Sequence, residues 1–142
     1  MTDDQYPTED PTEDPTCEWA EDYAKSKGCR VVYPAINQLQ LDIDTDEAFG
    51  EFVRRLADMR KWGRMESMPE MVITPSKSGL PHRHITLTFN WDFDRWERIA
   101  LQMLLGSDPV REKMNVLRTL RANPQPVRLF EPVLSDVSEW SW

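Results

Sequence analysis

This chain of 142 residues has no long apolar run, and it has few cysteines or histidines. No stretch of about 18 apolar residues occurs, which predicts that the chain does not span a membrane. The two cysteines, Cys17 and Cys29, match neither a zinc-ligand set nor a redox motif. We therefore expect no zinc site and a reducing, cytoplasmic setting. Histidine is equally scarce, with His82 and His84 alone.

Basic residues are missing from the first 22 positions, which carry nine Asp and Glu side chains. Because the whole chain has a net charge of −8, residues 23–142 have one more basic than acidic residue. An acidic chain therefore does not argue against a nucleic-acid partner. Residues 1–16 repeat Thr-Glu-Asp-Pro, without apolar periodicity or the marks of a signal peptide, which predicts a disordered acidic tail. Alternatively, this tail mimics nucleic-acid phosphates and competes for a basic groove.

Apolar periodicity predicts a single α+β domain over residues 17–131, followed by a tail at 132–142 that docks Trp140 and Trp142 on the domain or on a partner. The predicted helices span 17–27, 45–62, a stretch that starts within 90–94 and ends at 106, and 109–122. The predicted strands span 31–33, 36–43, 71–74, 82–89 and 127–130. We expect a small, mostly antiparallel sheet with helices packed on one face, similar to an RNA-recognition or polymerase-palm domain.

Predicted helix ends and buried stripes follow from the same pattern. Gly28 is expected to stop the first helix, Thr45 or Asp46 to cap the second, and Gly106 to end the third. The predicted buried stripes are Phe49, Phe52, Val53, Leu56 and Ala57 on the second helix, Trp96, Ile99, Ala100, Met103 and Leu104 on the third, and Met114, Leu117 and Leu120 on the fourth.

The strand over residues 39–43 is followed at once by a second carboxylate, so Asp42 and Asp44 form a pair. Side chains two residues apart on a strand share a face, about 7 Å apart along the backbone. Like charges this close repel each other unless a cation lies between them. Because hard cations choose oxygen ligands, the pair predicts half of a divalent-metal site. The alternative is that the pair merely caps the next helix.

Three other places carry candidate chemistry. The turn-rich loop at 74–79 offers Ser76, Lys77 and Ser78, hydroxyls and an ammonium suited to an anion. His82 and His84 alternate on one face of a predicted strand, and Asp108 follows Gly106-Ser107. Each also has a plain structural interpretation. The loop is an ordinary hairpin connection, the histidines are an exposed pair, and Asp108 caps the helix that starts at Pro109.

The order of these motifs resembles the archaeo-eukaryotic primase superfamily, including the primase-polymerases of phages and plasmids. Its hydrophobic strand ending in Asp-x-Asp is matched by Leu41-Asp-Ile-Asp44. Its Ser/Gly-rich turn leading to a His is matched by Ser76-Lys-Ser-Gly-Leu-Pro-His-Arg-His-Ile85, and its later acidic residue by Leu105-Gly-Ser-Asp108. Two departures are the lack of a zinc-binding cysteine set and Pro81, which stands where the family often has glycine.

The resemblance implies a metal-dependent nucleotidyltransferase, a minimal primase-polymerase core acting in nucleic-acid replication. Asp42, Asp44 and Asp108 would be catalytic and bind Mg²⁺ or Mn²⁺. His82 or His84 would contact the triphosphate of a nucleotide, with Ser76, Lys77 and Ser78 nearby. The implied partners are nucleoside triphosphates, a DNA or RNA template and another replication protein, in the cytoplasm of a host that carries the phage or plasmid.

Three alternatives to a nucleotidyltransferase follow from the same sequence. A rolling-circle nuclease would use His82-Arg-His84, yet its nucleophilic Tyr is expected on a later helix, and Tyr6, Tyr23 and Tyr33 all lie upstream. A phosphodiesterase with two His-x-Thr motifs is excluded, because His84-Ile-Thr86 is the single match. A non-catalytic phage or plasmid factor with a palm-like fold, which binds nucleotides, nucleic acid or protein, stays open as the alternative.

Overall fold

The computed structural model describes residues 18–63, 65, 67–76, 78–123 and 125–132, and it confirms the α+β class. The elements in chain order are α1 (Glu18–Ser26), β1 (Cys29–Val32), β2 (Gln38–Ile43), α2 (Asp46–Trp62), β3 (Glu70–Pro75), β4 (Arg83–Thr88), α3 (Arg95–Leu104), α4 (Pro109–Leu120) and β5 (Leu129–Pro132). The predicted N-terminal tail and, beyond Pro132, the predicted C-terminal tail lie outside the described residues. None of the helices in the described part combines the length and apolar character needed to cross a bilayer.

The described strands form two antiparallel sheets, whereas a single sheet was expected. One has the order β2-β4-β3 and the other pairs β1 with β5. In the larger sheet Leu41 lies opposite Ile85 and Asp42 lies opposite His84. Because side chains alternate along a strand, the Leu41–Ile85 pair faces one side of the sheet and the Asp42–His84 pair faces the other. The two faces therefore have different chemistry from the outset.

The apolar face of the larger sheet packs against α2 to form the core. Phe52 and Leu56 of α2 join Leu39, Leu41, Ile43, Ile85 and Leu87 of the strands in one buried cluster. Thr45 caps α2, since its side chain accepts a hydrogen bond from the backbone N–H of Ala48 at 3.0 Å. Val53 is 48% exposed, so the buried stripe of α2 is narrower than predicted.

The predicted stripes of α3 and α4 are largely wrong, because these helices bury polar side chains. The buried residues are Arg98, Ile99 and Gln102 on α3, and Glu112, Asn115, Arg118 and Thr119 on α4. Most of the large apolar side chains expected inside are exposed instead: Trp96, Met103, Leu104 and Leu120. Of the eight predicted stripe residues, Ile99 alone is buried.

The free edge of β2 explains why α3 and α4 bury polar side chains and expose apolar ones. Its other edge pairs with β4, which leaves the outward backbone groups of Gln40 and Asp42 in need of partners. Gln102 Oε1 accepts from the N–H of Gln40 at 2.8 Å, and Ser107 Oγ accepts from the N–H of Asp42 at 3.0 Å. The N–H of Asp108 donates to the carbonyl of Asp42 at 2.8 Å. Polar groups from α3 and from the connection between α3 and α4 thus take the place of a neighbouring strand.

Candidate functional site

Three carboxylates converge at the end of β2. Asp42 lies on the strand, Asp44 follows it directly, and Asp108 is held beside them by the hydrogen bond from its N–H to the Asp42 carbonyl. One carboxylate oxygen from each residue lies within 4.8 Å of the others. The structure therefore brings together the three residues that the sequence proposed as metal ligands.

The two plain interpretations of these aspartates have different outcomes. Thr45, rather than Asp42 or Asp44, caps α2, so capping does not account for that pair. Asp108 does cap α4, because its Oδ2 accepts from the N–H of Arg111 at 3.1 Å. A carboxylate has two acceptor oxygens, so this capping bond leaves lone pairs for a cation.

Burial and the neighbouring carboxylates together raise the pKa of Asp42 from 3.8 to about 7. Burial is the largest cause, followed by the negative charge of Asp44, and the charge of Asp108 adds to both. The guanidinium of Arg111 acts in the opposite direction. Such repulsion between neighbouring carboxylates is relieved when a cation lies among them.

The two histidines reach the carboxylates from β4 and the turn before it. His82 Nδ1 lies 3.1 Å from Asp44 Oδ1, and this imidazole is about half exposed. His84 is buried directly across from Asp42, with its Nε2 3.9 Å from Asp42 Oδ1, beyond hydrogen-bond distance. Among the described residues, none accepts from or donates to His84 Nδ1. Burial, assisted by the charge of Arg111, lowers the pKa of His84 to about 4, so its imidazole is neutral at pH 7.

A cleft of about 340 Å³ lies beside these groups. Its polar wall is made by Asp42, Asp44, Ser76, Ser78, His82 and His84. The turn that carries the serines is tight: the N–H of Gly79 donates to the Ser76 carbonyl at 2.9 Å, and Gly79 has a φ of 77°. The predicted site residue Lys77 lies outside the described residues. Asp108 instead lines a second cavity of about 150 Å³, and Asp42 and His84 line both.

Sequence reasoning missed Arg111 and the aromatic side of the cleft. Arg111 Nη1 donates to the Gln40 carbonyl at 2.5 Å and to Glu112 Oε2 at 2.7 Å, so its charge is anchored beside Asp42. Its position three residues after Asp108 carried no recognisable signal. Tyr23 and Phe130 line the same cleft as the carboxylates of Asp42 and Asp44. They come from the two ends of the described chain, and no local pattern links them.

Comparison with known proteins adds no relative: no protein-family model, curated protein or solved structure matches this chain.

Proposed function

We propose that the protein is a metal-dependent nucleotidyltransferase of the minimal primase-polymerase kind, acting in nucleic-acid replication. The sheet β2-β4-β3 would serve as its palm. One observation carries the proposal: three carboxylate oxygens within 4.8 Å of one another, with the buried His84 directly across the sheet from Asp42. Hydroxyls and a second imidazole line the cleft that Asp42, Asp44 and His84 share. This is the donor set that a cation and a phosphate chain require together.

The donor atoms fit Mg²⁺ or Mn²⁺. All three candidate ligands, Asp42, Asp44 and Asp108, are carboxylates, and hard divalent cations select oxygen. The electrostatics of Asp42 agree with this role, because the negative charges of Asp44 and Asp108 add to burial in raising its pKa, and a cation would offset that repulsion. When bound, the ion would neutralise phosphate charge and stabilise the attacking and leaving oxygens of phosphoryl transfer.

The neighbouring side chains would orient the phosphates. As an imidazolium, His82 would donate from Nδ1 to Asp44 and from Nε2 to a phosphate oxygen. The hydroxyls of Ser76 and Ser78 lie in the same wall and offer further donors. His84 would act as a neutral hydrogen-bonding group, since its pKa is lowered to about 4. Nucleoside triphosphates and a DNA or RNA template are the proposed partners, in the cytoplasm.

The test is Mn²⁺-dependent incorporation of nucleotides by the full chain on primed and unprimed templates. We expect Asp44→Asn and Asp108→Asn to lower the rate by about 100-fold or more, because each removes a charged ligand. Asn caps helices as well as Asp does, so Asp108→Asn keeps the cap of α4 and should fold normally. Asp46→Asn is the matched control, because Asp46 is exposed and pairs with Arg83 outside the triad.

A second candidate function is a binder without transfer activity, of nucleotides, nucleic acid or protein. The observation in its favour is that Asp108 already caps α4 and faces a separate cavity. Thermal unfolding separates the two, since a bound ion stabilises the folded state by RT ln(1 + [L]/Kd). No incorporation by the wild-type chain, together with an unfolding midpoint that Mn²⁺ does not move, would favour the binder. Full activity of both triad variants would instead contradict the assignment of these aspartates as metal ligands.

A further inference from the structure

The cleft has a second wall whose chemistry is unlike the first. It consists of Tyr23, Ala24 and Lys27 from α1, Cys29 from β1 and Phe130 from β5. The rings of Tyr23 and Phe130 pack edge to face, with centroids 5.4 Å apart and an interplanar angle of 65°. Both rings are half-buried, so each keeps some surface toward the cleft. One wall is thus anionic and hydroxylated, and the other is aromatic.

The aromatic wall is tied to the larger sheet by hydrogen bonds. Antiparallel pairing with β1 places Phe130 opposite Val31. Gln40 Nε2 donates to the Val32 carbonyl at 3.2 Å, and Thr74 Oγ1 donates to Glu131 Oε2 at 3.0 Å. These two bonds join the small sheet to β2 and β3 on the side that carries Asp42 and His84. The small sheet that carries Phe130 is therefore fixed to the sheet that carries the carboxylates.

A ligand that uses both walls must be polar and anionic at one end, and flat and apolar at the other. Inorganic phosphate or triphosphate would contact the first wall and leave the rings unused. A nucleotide satisfies both, because every base has a face that stacks on an aromatic ring. Lys27 adds a positive charge to the aromatic side, with its ammonium 5.8 Å from the centroid of the Tyr23 ring. The cleft volume of about 340 Å³ is within the usual range for small-molecule sites.

We propose that Tyr23 and Phe130 form a base-binding subsite, so that this cleft takes a nucleoside triphosphate across its two walls. The base lies against the rings, and the phosphates lie toward Ser76, Ser78 and His82. This inference rests on the proposed function for its phosphate end. Stacking on rings does not distinguish one base from another, so purine and pyrimidine nucleotides should bind with similar affinity.

The experiment measures the Kd of the full chain by calorimetry for ATP and for inorganic triphosphate, each with Mn²⁺. The main variant is Phe130→Leu, which keeps an apolar side chain and removes the ring. We expect its Kd for ATP to rise by about five- to 100-fold, since base–aromatic stacking has that strength. Its Kd for inorganic triphosphate should stay within about twofold of the wild-type value, because this ligand does not reach the rings.

Two further variants guard against a general folding defect. Phe130→Tyr restores a ring and should return the Kd for ATP to the wild-type value. Trp62→Leu removes an aromatic side chain that is 78% exposed on α2, away from the cleft, and should change neither Kd. Equal weakening of both ligands in Phe130→Leu, or no weakening of ATP, overturns the subsite and leaves the proposed transferase standing.

Failure of the proposed function has a different signature. If the wild-type chain binds neither ATP nor inorganic triphosphate with Mn²⁺, the transferase and the subsite both fail. If it binds ATP with the expected loss in Phe130→Leu, yet incorporates no nucleotide, transfer fails and the base-binding subsite is supported.

Discussion

The sheet with α2 and the pair α3–α4 are built on opposite kinds of burial. Around α2 the buried side chains are apolar, led by Phe52 and Leu56 against β2 and β4. Between α3 and α4 they are polar, led by Gln102 and Glu112, whose side chains share a hydrogen bond of 2.9 Å. In the first region side chains are buried because removing apolar surface from water is favourable. In the second region they are buried because they provide hydrogen-bond partners for the unpaired edge of β2. The carboxylate triad depends on both regions, because Asp42 comes from the sheet and Asp108 from the polar connection.

Among the substitutions that test this comparison, Phe52→Ala should lower the free energy of unfolding the most. Phe52 is fully buried, and replacing such a ring by alanine removes its transfer free energy and leaves a cavity. We expect the free energy of unfolding to fall by about 3–5 kcal/mol, measured by urea denaturation. Val53→Ala is the control one residue along, at a half-exposed position, and should stay within about 0.5 kcal/mol of wild type. Equal losses in the two variants would contradict the assigned core face.

Gln102→Leu should have an intermediate effect, although it makes α3 more apolar. The variant leaves the buried N–H of Gln40 without its partner and removes one of the two hydrogen bonds that Glu112 Oε1 accepts. We expect a loss of about 1–3 kcal/mol in the free energy of unfolding, because unsatisfied buried polar groups are destabilising. Met103→Leu, at the adjacent exposed position, is the control. If Gln102→Leu were as stable as wild type, the edge of β2 would not depend on the hydrogen bond to the Gln102 side chain.

The smallest effect is the change of stability with pH in the absence of metal. The pKa of Asp42 is raised from 3.8 to about 7. Its stabilising contribution to the free energy of unfolding is therefore fully present below pH 3.8 and is lost as the pH rises through 7. The pKa of His84 is lowered from 6.5 to about 4. Its stabilising contribution to the free energy of unfolding is therefore fully present above pH 6.5 and is lost as the pH falls through 4. Between about pH 5 and 8 the contributions of Asp42 and His84 largely cancel. We expect the free energy of unfolding to fall across this range by a net amount on the order of 1 kcal/mol.

Asp42→Asn separates the two groups. Without Asp42, the free energy of unfolding should rise with pH from about 4 to 6.5, following His84 alone. Urea denaturation in EDTA across this range measures the slope for the variant and for wild type. Identical slopes in the two proteins would show that Asp42 titrates as an ordinary carboxyl in the fold.

Much of the local structure could be predicted from the sequence, because local patterns dictate it. Alternation in residues 39–43 predicted β2 and its two faces, and Gly28 stops α1 with a φ of 69°. Thr45 caps α2 as one of the two predicted residues. The burial of α3 and α4 could not be predicted from apolar spacing, since Gln102 and Arg111 satisfy a strand edge that is distant in sequence.

The candidate site divides in the same way. Asp42 and Asp44 were found from strand spacing, and the histidines from their own strand. Nothing local indicated that His84 would be buried across from Asp42, or that Phe130 would close the cleft beside Tyr23. The resemblance to primase-polymerases, the nucleotide partners and the role of the terminal tails stay predictions.

The sequence by itself determined where strands and helices form, how most of them end, and which acidic side chains share a strand face. These features depend on contacts within a few residues. The tertiary structure alone decided that Asp108 meets Asp42, that α4 turns its polar side inward, and that the strands divide into two sheets around a cleft. The physical reason is that the unpaired backbone of β2 must find hydrogen-bond partners, and those partners come from residues 102–111.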